Sequence, residues 1–271
     1  MATIFLPENP NAQGTNEADS IIGTWGDDRI LGLGGNDEVY AQAGNDNLFG
    51  NAGNDIIFGG NGADSVYGGR DDDQLWGDDD PQKTGGNDFL YGNQGSDNLF
   101  GGIGDDQLFG GQGNDFLVGD DRLVAGVGTD YLSGDLGFDL LTGDRPNRGM
   151  QGARDIFVLR PSLDNSFDYI TDFKPTEDEI HVGVGLTLND LQISTITEAG
   201  LSGATLSANF SLTAARIGNQ NNLADGFIRG EDIVIRVKSS GQILGVLSAY
   251  PTLDNTRIAP NALTADNIRF L

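Results

Sequence analysis

Aspartate recurs in the first half of this chain at a spacing that suggests chemistry. It stands at positions 19, 28, 37, 46, 55, 64 and 73, then at 88, 97, 106 and 115, and finally at 130 and 139. Within each run the step is nine residues, and the two jumps between runs are fifteen. Carboxylates in a fixed phase supply hard oxygen ligands, which suit calcium better than a softer metal. There is no cysteine and only one histidine, His181, so thiolate sites, disulfides and histidine-rich zinc or iron centres are excluded. The same scarcity starves the usual nucleophile–base pairs, and neither an HExxH helix nor a GxSxG elbow occurs. His181, inside EIHVGV, reads as a wall residue rather than a general base. Paired carboxylates abound, but their periodicity fits metal ligands better than a glycosidase pair.

Thirteen carboxylates in one phase need a repeating scaffold. Two places after each Asp comes an aliphatic residue, from Ile21, Ile30 and Val39 through to Leu132 and Leu141. Two places before it stands glycine in 11 of the 13 units, the exceptions being Glu17 and Asp71. Six residues ending in Asp form a turn in which glycine allows positive φ and close backbone approach. Three residues centred on the aliphatic form a short strand, that side chain inward and its neighbours outward. Two units complete one coil, so successive turns fall on opposite edges. Asp19, Asp37, Asp55, Asp73, Asp97, Asp115 and Asp139 mark one edge, and Asp28, Asp46, Asp64, Asp88, Asp106 and Asp130 the other. One coil alone buries no core; stacked coils do.

Segments such as GGQGNDFLV (110–118), GGIGDDQLF (101–109) and GGNGADSVY (59–67) resemble the RTX, or hemolysin-type calcium-binding, nonapeptide GGxGxDxUx. The resemblance covers about residues 14–145. It implies an all-β fold, a parallel β-roll, with calcium between consecutive turns of one edge. Carried onto this sequence, the expected metal ligands are Asp28, Asp37, Asp46, Asp55, Asp64, Asp73, Asp88, Asp97, Asp106, Asp115, Asp130 and Asp139. With them go the turn glycines Gly35, Gly44, Gly53, Gly62, Gly86, Gly95, Gly104 and Gly113. Seven turns on one edge and six on the other leave at most 11 gaps for ions. GTNEAD (14–19) and GGRDDD (68–73) depart from the pattern, so fewer than 11 are expected.

Charge points the same way. The formal net charge is −26, which repels nucleic acid and anionic membranes. Residues 14–145 hold 26 acidic residues against 5 basic ones, close to what eleven divalent ions would neutralise. Without metal the stacked carboxylates should repel, so calcium binding should become folding energy. No run of about 18 apolar residues is present. The start, MATIFLPENPNAQ, lacks the basic and apolar regions of a cleaved secretory signal. The resemblance implies a secreted, extracellular protein exported through a C-terminal type I secretion signal, although ADNIRFL matches that ending only loosely.

The two long steps, 77–88 and 119–130, and a third interruption at 143–155 fall on the same edge. They read as tolerated surface loops, or as a partner or extra-metal surface using Asp78, Asp79, Asp80, Asp120 and Asp121. Aromatic residues follow the inward aliphatic at Tyr40, Phe49, Phe58, Tyr67, Trp76, Tyr91, Phe100 and Phe109. They should form an outward ladder on each sheet.

Beyond residue 145 the period stops. Of 42 glycines, 31 lie in 14–145. Strands are expected at 155–159, 168–173, 179–184 and 190–196, with a hairpin over 232–250 turning at SSG. This run resembles the region after the repeats in secreted RTX proteins and should cap the open coil, with Asp155, Asp172 and Asp178 as candidates for a further ion. The expected organisation is a lead-in at 1–13, the roll at 14–145, and a β-rich capping and secretion domain at 146–271. The expected function is a calcium-folded structural or interaction module, with calcium and a surface protein or polysaccharide as partners. An enzyme with its site in the C-terminal domain, or an ice-binding roll, are the alternatives. The third turn position runs Asn16, Trp25, Gly34, Ala43, Ala52, Asn61, Arg70, which is no ice-binding ladder.

Overall fold

The computed structural model describes residues 2–5, 11–78, 85–120, 128–144, 154–162, 166–175, 177–183, 185–195, 198–199 and 232–248, with 258, 260, 263 and 267–270 near the C terminus. Asp79, Asp80, Asp121 and the segment 200–231 therefore lie outside the described residues.

The strands run β1 (Ala2–Phe5), β2 (Asn11–Gln13), β3 (Asp19–Ile22), β4 (Arg29–Leu31), β5 (Glu38–Tyr40), β6 (Asn47–Ala52), β7 (Ile56–Phe58) and β8 (Ser65–Arg70). There follow β9 (Gln74–Trp76), β10 (Phe89–Gln94), β11 (Asn98–Phe100), β12 (Gln107–Gln112), β13 (Phe116–Asp120), β14 (Tyr131–Leu136) and β15 (Leu140–Asp144). The last seven are β16 (Ile156–Leu159), β17 (Asp168–Ile170), β18 (Glu179–Val182), β19 (Leu191–Thr195), β20 (Ile233–Val237), β21 (Ile243–Leu247) and β22 (Ile268–Phe270).

Through β18, odd and even strands separate into two sheets, as an alternation of turn and strand requires. One sheet of twelve strands runs β1-β3-β5-β7-β9-β11-β13-β15-β17-β21-β20-β19, and one of ten runs β2-β4-β6-β8-β10-β12-β14-β16-β18-β22. The repeat strands pair in parallel and in register, aliphatic on aliphatic, as in Leu90 with Leu108 and Val39 with Ile57. This is a parallel β-roll. The six-residue insertions do not disturb it, since Val66 pairs with Leu90 across the first and Leu108 with Leu132 across the second.

The core is the column of inward aliphatics. All thirteen, from Ile21 to Leu141, are at 1% exposure or less, and Phe157, Ile170 and Ile180 continue the column past the repeats. After β18 the pattern changes. The hairpin β20–β21 and strand β19 are antiparallel and close the twelve-stranded sheet, while β22 closes the other. Only at this end do antiparallel pairs appear among the described residues.

The turns use left-handed backbone at two positions. Where the second position is not glycine, Asn51, Asn93 and Asp135 adopt φ of 78, 79 and 71, which short polar side chains tolerate. Leu33 adopts φ 82, where a branched apolar side chain costs about 1–2 kcal/mol. Leu33→Gly should therefore stabilise the calcium-loaded protein by about 1 kcal/mol, seen as a higher denaturant midpoint. A lower midpoint would mean that the half-buried leucine contributes more by contact than its backbone costs.

Candidate metal centre

Each turn ends on a buried aspartate whose two oxygens have different surroundings. One oxygen, Oδ1, accepts the main-chain N–H of the aspartate one coil earlier on the same edge. Asp19 N–H donates to Asp37, Asp37 to Asp55, Asp55 to Asp73, Asp28 to Asp46 and Asp46 to Asp64, all at 2.7–2.8 Å. The rungs continue across the insertions, from Asp64 to Asp88 and from Asp73 to Asp97, both at 2.8 Å. Side chain and strand register together therefore fix every carboxylate.

The other oxygen faces forward. In Asp37, Asp46, Asp55, Asp64, Asp73, Asp88 and Asp115 the buried Oδ2 has no hydrogen-bond partner. It lies beside the glycine that opens its own turn and against the carbonyl of the next coil. A Cβ at Gly50 would fall 2.6 Å from the Gly68 carbonyl oxygen and closer still to Asp55 Oδ2. Gly59 repeats this between Asp64 and Gly77, and Gly110 between Asp115 and Gly134. Glycine is required there because two oxygens converge where a side chain would stand.

A buried anionic oxygen without a donor costs several kcal/mol unless a proton or cation answers it. Burial is the main cause that pushes these carboxyls up. Asp46 and Asp55 rise to about 7, Asp64 and Asp88 to about 8, and Asp73 to about 9. Neighbouring aspartates add to this by repulsion, while the N–H bond from the preceding coil opposes it. Among the described residues no three acidic or imidazole side chains converge on one point. A cation here must draw on carboxylates of consecutive coils and on turn carbonyls, the oxygen set calcium accepts.

The first coil differs. Asp19 Oδ2 accepts the Thr15 N–H at 2.7 Å and the Thr15 hydroxyl at 2.8 Å. Asp28 Oδ2 likewise accepts the Thr24 N–H at 2.6 Å and its hydroxyl at 3.1 Å. Asp28, read from the sequence as a metal ligand, thus has its forward oxygen answered by protein. A threonine at the second turn position was the signal. The turn glycines named from sequence stand in a column of their own. Gly35, Gly44, Gly53, Gly62, Gly95, Gly104 and Gly113 have φ between +99 and +139, and these seven and Gly86 each lie over backbone of the preceding coil. Asp71 takes the same position with φ 73; its exposed carboxylate raises Asp55 and Asp73 by repulsion.

Both aspartate edges outrun the sequence period. Asp130 N–H donates to Asp155 and Asp155 N–H to Asp178, each at 3.1 Å. Gly143 stands to Asp155 as Gly119 stands to Asp130. On the other edge Leu140 pairs with Tyr169, which puts Asp168 in register with Asp139. Asp172 accepts the Gly143 N–H at 3.0 Å and raises Asp178 by repulsion. Asp168 was missed because it follows Asp139 by 29 residues rather than by the 18 or 24 that separate aspartates of one edge within the repeats. Asp178 Oδ2 accepts the Lys174 N–H at 2.7 Å, so this edge ends, as it began, on a main-chain donor.

The metal-free protein should respond to pH in a definite direction. Folded carboxyls at about 7 to 9 lie above the unfolded value of about 3.9, so the folded, metal-free roll binds more protons than the unfolded chain. That stabilisation is complete below about pH 4 and is lost as pH rises through 7 to 9. In chelator, acidification from pH 9 towards pH 5 should therefore restore β-sheet circular dichroism. A signal that falls on acidification would contradict the assignment.

Comparison with known families agrees with the geometry. A family model for the RTX calcium-binding nonapeptide repeat matches four times, over residues 11–39, 40–75, 84–117 and 118–143. No curated protein matches the chain. The matched copies contain the whole set of forward-facing carboxylates whose Oδ2 lacks a donor, and through them residues 11–143 belong to the RTX calcium-binding repeat family.

Proposed function

We propose that this protein is a secreted RTX roll that folds on binding calcium and works outside the cell as a structural or interaction module, without catalysis. The observation that carries the reading is the row of buried Oδ2 atoms with no hydrogen-bond donor. On this reading the aspartates and turn glycines identified from sequence are the calcium ligands and their spacers, except that the first gap of each edge, answered by Thr15 and Thr24, holds no ion. Export follows the same logic. With calcium sub-micromolar inside and millimolar outside, the chain leaves unfolded and folds on arrival, since metal binding and folding are one equilibrium. Among the described residues no helix is long and apolar enough to cross a membrane. The residues after 145 are assigned to capping and to carrying the secretion signal, and the non-catalytic part rests on a composition with no cysteine and one histidine.

Fractionating cells that produce the protein tests this. It is expected in the medium or on the surface, folded, and in an unfolded, protease-sensitive form within the cytosol. A folded cytosolic pool with none outside would overturn it.

A further inference from the structure

The outer face of the ten-stranded sheet carries a trough that the calcium sites do not use. Three side-chain columns build it across β6, β8, β10, β12 and β14. The inner wall is aromatic, with Tyr91 in register with Tyr67 and Phe109. The outer wall is polar, with Gln94 in register with Arg70 and Gln112. Between them the floor runs Asn51, Gly69, Asn93, Gly111 and Asp135, low and lined with backbone at its two glycines. The trough encloses about 710 Å³ and runs from Phe49 to Arg160.

The aromatic wall opens where the ladder changes column. Phe49 and Tyr67 stack at 5.0 Å and 4°. At the next coil Phe89, on the other side of the inward Leu90, takes over and contacts Tyr67 at 5.8 Å and Phe109 at 5.3 Å. Tyr91 is left with an edge contact to Phe109 at 6.1 Å and 79°. Its ring therefore borders the trough instead of being consumed in a stack.

We propose that this trough binds a linear, uncharged polysaccharide. Its shape suits a chain: five successive strands about 4.8 Å apart give an extended cleft whose period is comparable to the advance of one pyranose along an extended glycan. Its chemistry suits sugar: an aromatic ring for the C–H face, and side-chain amides with the Arg70 guanidinium for vicinal hydroxyls. A protein partner would want apolar area, and the one large exposed apolar side chain lining the trough is Leu136. A polyanion is disfavoured by the net charge of −26, against which the trough sets Arg70 and an Arg160 already paired with Asp135. The site exists only in the folded roll, so it rests on the calcium reading above.

The test is calorimetric titration of the full chain in saturating calcium with cellohexaose, mannohexaose and chitohexaose, and with a galacturonate hexamer for comparison. Circular dichroism alongside reports the fold, so a folded protein that binds no sugar sinks only the glycan site. At least one neutral hexamer should bind. Tyr91→Ala and, separately, Gln94→Ala should each weaken it about tenfold, roughly 1.4 kcal/mol, with an unchanged calcium-loaded spectrum. No binding of any neutral hexamer, tighter binding of the galacturonate hexamer, or affinity indifferent to both substitutions would overturn the proposal.

Discussion

In excess chelator at neutral pH the protein should lose its β-sheet spectrum and expand, and it should recover both on adding calcium. Residues 14–145 carry 26 acids against 5 bases, and the fold stacks their aspartates one coil apart, within main-chain hydrogen-bond reach of one another. Each coil offers only two inward aliphatic side chains to set against this, so hydrophobic burial alone is a thin defence. Divalent ions between coils reverse the balance by turning repulsion into shared coordination. Extracellular calcium modules have affinities of about 10⁻⁴–10⁻³ M, so refolding should centre there and be cooperative, because each ion needs ligands from two coils. A size-exclusion profile and far-UV spectrum indifferent to chelator would contradict this.

The second large effect should come from adding one methyl group. Gly113 has φ +137, and a Cβ there would lie 2.5 Å from the Gly95 carbonyl carbon and closer still to its oxygen. Gly113→Ala must therefore either lift one coil off the next or adopt a backbone conformation the turn cannot use. A cost above about 4 kcal/mol is expected, at the extreme of single substitutions, with a matching rise in the calcium needed for folding. Gly26 occupies the same turn position in the first coil, where a Cβ would meet nothing within 4 Å. Gly26→Ala should be close to neutral. Equal effects of the two substitutions in a denaturant titration would mean that coil-on-coil contact is not what fixes these glycines.

What could be read from the sequence was whatever a local period encodes. The phase of the thirteen aliphatics predicts an inward column, and each of them is buried. The hairpin over 232–250 was legible because alternation at Ile233, Ile235 and Val237 survives in a short antiparallel pair. Spatial phase without sequence phase was not legible. Asp168 takes up a roll position 29 residues after Asp139, because register is set by the sheet rather than by chain count. The first turn, GTNEAD, departs from the glycine pattern, and there Thr15 supplies both a hydroxyl and an N–H to Asp19. An outward aromatic ladder was expected on each sheet. It stacks over Tyr40, Phe58, Trp76 and Phe100, at 4.6–5.2 Å. On the other sheet Phe89 diverts it, a consequence of the residue before the aliphatic rather than after it.

Anomalous diffraction from crystals grown in calcium, or exchanged into a lanthanide, tests the central claim most directly. Ions should lie in rows along both edges, each against the Oδ2 of Asp37, Asp46, Asp55, Asp64, Asp73, Asp88 or Asp115 and the glycine carbonyl of the following coil, with none beside the Oδ2 of Asp19 or Asp28. Ions confined to surface loops, or those seven oxygens found bonded to protein donors with no metal between the coils, would contradict it.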